Sequence, residues 1–171
     1  PGGEAVLLTA ATKVLCSSNN NNMPQMTHVV LLLLPLALGM LAGFIPRQLC
    51  GKKELDGPAG LTPPGWVFGV VWTVLYLMLG VVLLRLVDRS ERVGLVLFGA
   101  QLLLNLSWTS VYLGGSRQAA FFVIAAIVAL TLSLALWLAG RDSVSAALLG
   151  PYLAWLLAAA HLNAFAVQDA E

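Results

Sequence analysis

Long windows without a formal charge constrain this chain more than any motif does. They run over Gly57–Leu84, Val93–Ser116, Gln118–Gly140 and Ser143–Gln168, and a fifth lies between Val14 and Ile45, its apolar part beginning near Val29. A helix crosses the hydrocarbon core of a bilayer in roughly 20 predominantly apolar residues. Four windows are comfortably long enough and the first is borderline. The expected fold is therefore an all-α integral membrane protein, a multi-pass bundle of five transmembrane helices over about 29–45, 66–86, 93–113, 119–139 and 144–167. A soluble helical protein would need polar faces recurring at the helical period, and FFVIAAIVALTLSLALWLAG, Phe121–Gly140, offers none. A β-barrel would alternate in segments of about 10 residues; these continuous runs do not.

The remaining sequence is short. Residues 1–22 end in an asparagine run and resemble a linker more than a folded element, so the membrane domain is expected over 23–171. Asp88–Arg92, Gly114–Arg117 and Gly140–Asp142 are brief links, expected to set consecutive helices side by side and antiparallel. The longest connection, Pro46 to Thr62, is polar and glycine-rich, and at 17 residues it can fold over one mouth of the bundle. Arg85, Arg89, Arg92 and Arg141 fall on one side of the membrane, and Arg47, Lys52, Lys53 and Arg117 on the other. The positive-inside rule needs an asymmetry and finds none. A net charge of +1 points to no nucleic-acid partner, and two cysteines, Cys16 and Cys50, make neither a disulfide framework nor a metal cluster.

No span holds Asp, Glu, Lys or Arg in its interior, which argues against an ion-coupled pump or voltage sensor. No carboxylate pair, Ser-His-Asp set, HExxH or phosphate-binding glycine loop is present, so hydrolytic and phosphoryl chemistry lack support. The polar and aromatic residues instead fall into stripes. Gln101, Asn105, Trp108 and Tyr112 share one face of the third helix. Tyr152, Trp155, Ala159 and Asn163 share one face of the fifth, and Phe68, Trp72 and Tyr76 one face of the second. One reading makes the amides interhelical glue and the rings packing or belt residues. The other makes the stripes the wall of a pocket for a flat apolar ligand. Trp66 and Trp137 lie near helix ends, where a belt suffices; Trp72 and Trp155 lie deeper. His161, within the fifth span, reads either as a neutral hydrogen-bond partner or as a haem ligand or proton shuttle.

The segments PPGWVFGVVWTVLY, QLLLNLSW and PYLAWLLAAAHLN, in this order and spacing across five spans, resemble the TspO/MBR family. This family comprises the tryptophan-rich sensory protein of bacteria and the mitochondrial translocator protein, once called the peripheral benzodiazepine receptor. The resemblance runs over roughly Leu38 to Asn163. It implies a five-helix bundle, often a homodimer, whose pocket binds porphyrins and, in some members, cholesterol and synthetic ligands. Trp72 and Trp155 match the tryptophans linked with ligand binding; Asn105, Trp108, Tyr152, Ala159 and Asn163 match motif positions that line or support the pocket. A porphyrin or haem is thus expected as ligand, with no cofactor required, in a bacterial envelope or mitochondrial outer membrane. Some members are reported to break down protoporphyrin in light; no general acid or base is visible here, so such chemistry would draw on the ligand's own photochemistry.

The chain departs from the family in three places. KKELDGPAGLTPP lacks the aromatic pair and KP usual before the double proline. Phe121 stands at a family tryptophan position. The sterol-recognition pattern fails in the fifth helix, although Leu106, Tyr112 and Arg117 form a match elsewhere. Pro63 and Pro64 suit the entry to a helix, where a missing N–H costs little, and are expected to set the register that leaves Trp66 at the interface and turns Trp72 and Tyr76 inward.

Overall fold

The computed structural model describes residues 25–49, 65–114 and 116–168. The expected tail at 1–22, both cysteines, the double proline and the polar connection from residue 50 onward lie outside the described residues. Five helices make up the described chain: α1 (Gln25–Leu49), α2 (Gly65–Asp88), α3 (Arg92–Leu113), α4 (Arg117–Ala139) and α5 (Ser143–Gln168). Each is long and apolar enough to cross a membrane. α1 overruns its expected span at both ends, continuing through Pro46 where a loop was expected. Charge-free windows report apolar length, whereas backbone hydrogen bonding continues through polar residues outside the hydrocarbon.

The outer surface is what a lipid-facing bundle requires. Val30, Leu33, Met40, Val70, Val96, Leu103, Phe122, Leu136 and Leu157 are all exposed apolar side chains. Hydroxyls inside the spans satisfy themselves on their own helix: those of Thr73, Thr131 and Ser133 donate to the carbonyls of Gly69, Ile127 and Ala129, one turn back. This keeps unpaired polar groups out of the apolar medium.

The helices form a ring in which α1 packs on α2 and α3, α3 on α4, α4 on α5, and α5 back on α2. The expectation of side-by-side neighbours therefore holds for α3 with α4 and α4 with α5. It is weakest for α2 and α3, which are joined by three residues like the other two pairs yet have the least contact of any touching pair. α1 takes the groove between them.

Local chemistry at the α2–α3 link explains the divergence. Ser90 has φ 55°, the left-handed region. Its N–H donates to the Val87 carbonyl (3.0 Å) and that of Glu91 donates to Leu86 (3.0 Å), the paired bonds of a Schellman helix end. The motif ends α2 abruptly and turns the chain away from it. Glycine is the residue best suited to this conformation, so Ser90→Gly is expected to raise stability by about 0.5–1 kcal/mol, read as a small rise in Tm in detergent.

α1 reaches α2 through two glycines. A Cβ on Gly80 would collide with the backbone carbonyl of Leu32, and one on Gly39 would enter the ring of Tyr76. The two helices thus meet nearly backbone to backbone, as small residues permit in membranes. The tightest packing lies in the half of the bundle where α2 ends, through Leu79, Val82, Leu86, Phe98, Ile127, Leu134, Leu138 and Leu149.

At that end the charged groups form a clamp. Asp142, the residue before α5, is 4% exposed. Arg85 near the end of α2 grips it with two bonds, Nε to Oδ2 at 2.9 Å and Nη2 to Oδ1 at 2.6 Å. Ser145 Oγ donates to Oδ2 (2.6 Å) and the Ser145 N–H to Oδ1 (3.4 Å), so Asp142 also caps α5. Arg89 Nε lies 3.5 Å from Oδ2, and its Nη1 donates to the Arg141 carbonyl (3.2 Å). The Arg85 hydrogen bonds, joined by those from Ser145, hold the Asp142 carboxyl well below the usual range against the opposing effect of burial. On the same side, Arg141 stacks over Trp137, 3.7 Å from the ring centroid, consistent with an interfacial tryptophan.

Candidate functional site

The polar stripes of α2, α3 and α5 converge near mid-helix. Tyr76 Oη donates to Asn105 Oδ1 at 2.6 Å, Asn105 Nδ2 donates to Tyr152 Oη at 2.8 Å, and Tyr152 Oη donates to Gln101 Oε1 at 3.0 Å. All four side chains are buried, Gln101 and Tyr152 completely. The backbones of α3 and α5 make no close approach among the described residues. These side chains bridge that gap and join three helices. Gln101 and Asn105 therefore do act as glue, at about 1 kcal/mol or less per interhelical bond. Gln101 Nε2 remains buried without a partner at the end of the chain.

Toward the end where α2 begins and α5 finishes, rings replace hydrogen bonds. Trp72 lies against Tyr76 (centroids 5.3 Å) and meets Tyr152 edge-on across the α2–α5 seam (6.5 Å). Phe68 finds its partner in Trp155 on α5 (5.6 Å, edge-on). Trp108 and Tyr112 pair along α3 at 5.2 Å. Trp72, Trp108, Trp155 and Ala159 are half-buried and pack against the core, whereas Trp66, at the entry to α2, is 72% exposed. That contrast sets Trp66 apart from the deeper tryptophans as expected, whereas Trp137, the other expected belt residue, is half-buried and packs against the core as they do.

Several polar atoms here are buried without a partner: Nε1 of Trp108 and Trp155, and both Nδ2 and Oδ1 of Asn163. Leaving such a group unpaired costs about 1–3 kcal/mol, a cost that native structures tend to carry where function needs the group. The arrangement offers flat apolar faces with a few unclaimed hydrogen-bonding atoms, which is the chemistry of a small-molecule site.

Two of the sequence candidates stand apart. Phe121 packs on Phe122 (6.0 Å) at the start of α4, outside the core cluster. His161 is exposed on α5, two positions before buried Asn163 and so on another face. No group of three or more metal-ligating side chains occurs among the described residues. Sequence reasoning missed Gly39, whose lack of a side chain admits the Tyr76 ring, and the clamp on Asp142. Glycine within an apolar helix was the available signal for the first; nothing local signals a pair 57 residues apart.

Comparison with known proteins agrees with this architecture. The profile of the TspO/MBR family matches residues 31–168. A tryptophan-rich protein TspO of Chlorobaculum tepidum is 36% identical over 107 residues, 59% of this chain and 68% of its own length. A TspO of Archaeoglobus fulgidus is 32% identical over 141 residues, covering 79% and 91%. The translocator protein of Sus scrofa is 32% identical over 136 residues, covering 72% and 80%. With the profile spanning all five helices and every residue of the buried hydrogen-bonded chain, the protein belongs to the TspO/MBR family.

Proposed function

We propose that the protein binds porphyrin- or haem-type tetrapyrroles and other flat apolar molecules within the membrane, between α2, α3 and α5, as a transporter or sensor. One observation carries this reading: half-buried rings from three helices stand beside buried indole N–H groups that no protein atom accepts. A stranded indole N–H occurs at the clamped end as well, on Trp137. At this end two such donors and an open amide stand together beside ring faces from three helices, and a ligand with ring faces and acceptor atoms would answer both features. The names of relatives, one a translocator, sit with a role in moving a ligand. The working unit is a homodimer, for which exposed small pairs four apart, Ala125 with Ala129 and Ala154 with Ala158, supply faces for close approach.

Titration with protoporphyrin IX in detergent, followed by tryptophan quenching, tests the site. Saturable binding is expected, with Trp72→Phe and Trp155→Phe weakening it about three- to tenfold, in keeping with the ~0.5–1.5 kcal/mol of an aromatic contact. Trp137→Phe, at the clamped end, leaves it unchanged, and circular dichroism checks the fold of each. Absence of saturable binding in the wild type would overturn the tetrapyrrole reading.

A further inference from the structure

The polar side chains between the helices fall into two sets. The set at mid-helix is closed on itself, Tyr76, Asn105, Tyr152 and Gln101 bonding one another with a single donor left over. The set nearer the end of α5 is open. Asn163 is only 3% exposed, yet neither its Nδ2 nor its Oδ1 has a partner. Trp155 Nε1, on the same face two turns earlier, is also buried and unpaired. Ala159 lies between them, a small residue on a stretch that rises about 12 Å from ring to amide.

An amide with both ends open presents a donor and an acceptor side by side in one plane. Its full complement is another such pair, the geometry of an un-ionised carboxylic acid or a primary carboxamide. A carboxylate or an ester has acceptors only and leaves Oδ1 stranded. We infer that Asn163 is a specificity-determining residue that recognises, through paired hydrogen bonds, a neutral carboxylic acid or carboxamide on the edge of a flat apolar ligand whose ring body lies against Trp155. This rests on the ring wall being a ligand site. Removal from water at the buried Asn163 also favours the uncharged form of such an acid, and a site with committed hydrogen-bonding groups rejects analogues that leave them unpaired.

The test uses the full chain in detergent with three probes: protoporphyrin IX, its dimethyl ester and its diamide. Wild type is expected to bind the acid and the diamide at least tenfold more tightly than the ester. Asn163→Leu removes both polar atoms at similar volume; it should bring the three probes within about twofold of one another while leaving ester affinity intact. If leucine disturbs the fold by circular dichroism, Asn163→Met replaces it, and the wild-type ratio stands independently of either variant. Equal binding of all three by wild type, or a preference that survives in the folded variant, overturns the inference and leaves the ring-wall site standing. Failure of all three probes to bind removes the site reading and this inference with it.

Discussion

Replacing Gly80 by valine is expected to pry α1 off α2 and lower stability by about 2–3 kcal/mol, the upper part of the range for forcing extra volume into a filled contact. The Cβ alone would run into the Leu32 backbone carbonyl. Backbone cannot step aside as a flexible side chain can, so the whole of α1 has to move. The displacement does not stop there, because Gly39, two turns along α1, cradles the Tyr76 ring whose hydroxyl opens the buried chain to Asn105. Thermal unfolding in detergent should show a clear fall in Tm for Gly80→Val. Gly99→Ala on α3, where an added Cβ meets nothing within 4 Å, should match wild type or exceed it. A Gly80→Val protein as stable as wild type would mean that α1 does not depend on this contact.

The second large effect is expected at Asp142. Asp142→Ala removes the cap of α5, worth about 1 kcal/mol, and strips Arg85 and Arg89 of their shared carboxylate. Loss of one partner of a fully buried pair costs about 3–5 kcal/mol, but Arg85 retains 30% exposure of its side chain, and solvent screens the charge left behind. A total of about 2–3 kcal/mol follows. Asp142→Asn keeps a capping oxygen and loses only the charge, so it should fall between wild type and alanine. The pH dependence has a definite sign. The carboxyl is held below its usual range in the folded protein, so its stabilisation is complete above about pH 4, the value for an unfolded aspartate. It is lost as pH falls through the lower, folded value. Wild type should therefore lose stability in acid more steeply than Asp142→Asn. Parallel acid profiles for the two would remove the clamp from any account of stability.

The helices were legible from composition because a bilayer imposes length and apolarity on every crossing, whatever its neighbours. α2 to α5 depart from the expected spans by no more than two residues at any end. The stripes were legible too: Gln101, Asn105 and Tyr152 do lie on buried faces, as their spacing implied. What spacing could not provide was the partner of each stripe. Periodicity fixes a direction around one helix axis and carries no information about which helix stands opposite. Hence the intrusion of α1 between α2 and α3 went unforeseen, as did the pairing of Arg85 with Asp142. The phenylalanine at 121 was assigned to the site by correspondence alone, and its ring packs with a neighbour on its own helix.

The order of the ring has a bearing on how the chain assembles. As the chain emerges, α2 can engage α1 at once, but its other flank is completed only when α5 exists, three helices later. The seam where α5 meets α2 is thus the last to close, and its distant contacts carry the largest loop-closure cost in the bundle. Both the charged clamp and the ring contacts of Phe68 and Trp72 straddle this seam, at opposite ends of it. A molecule seated among those rings would act as a latch on the final step of folding, holding the closed bundle against opening by mass action.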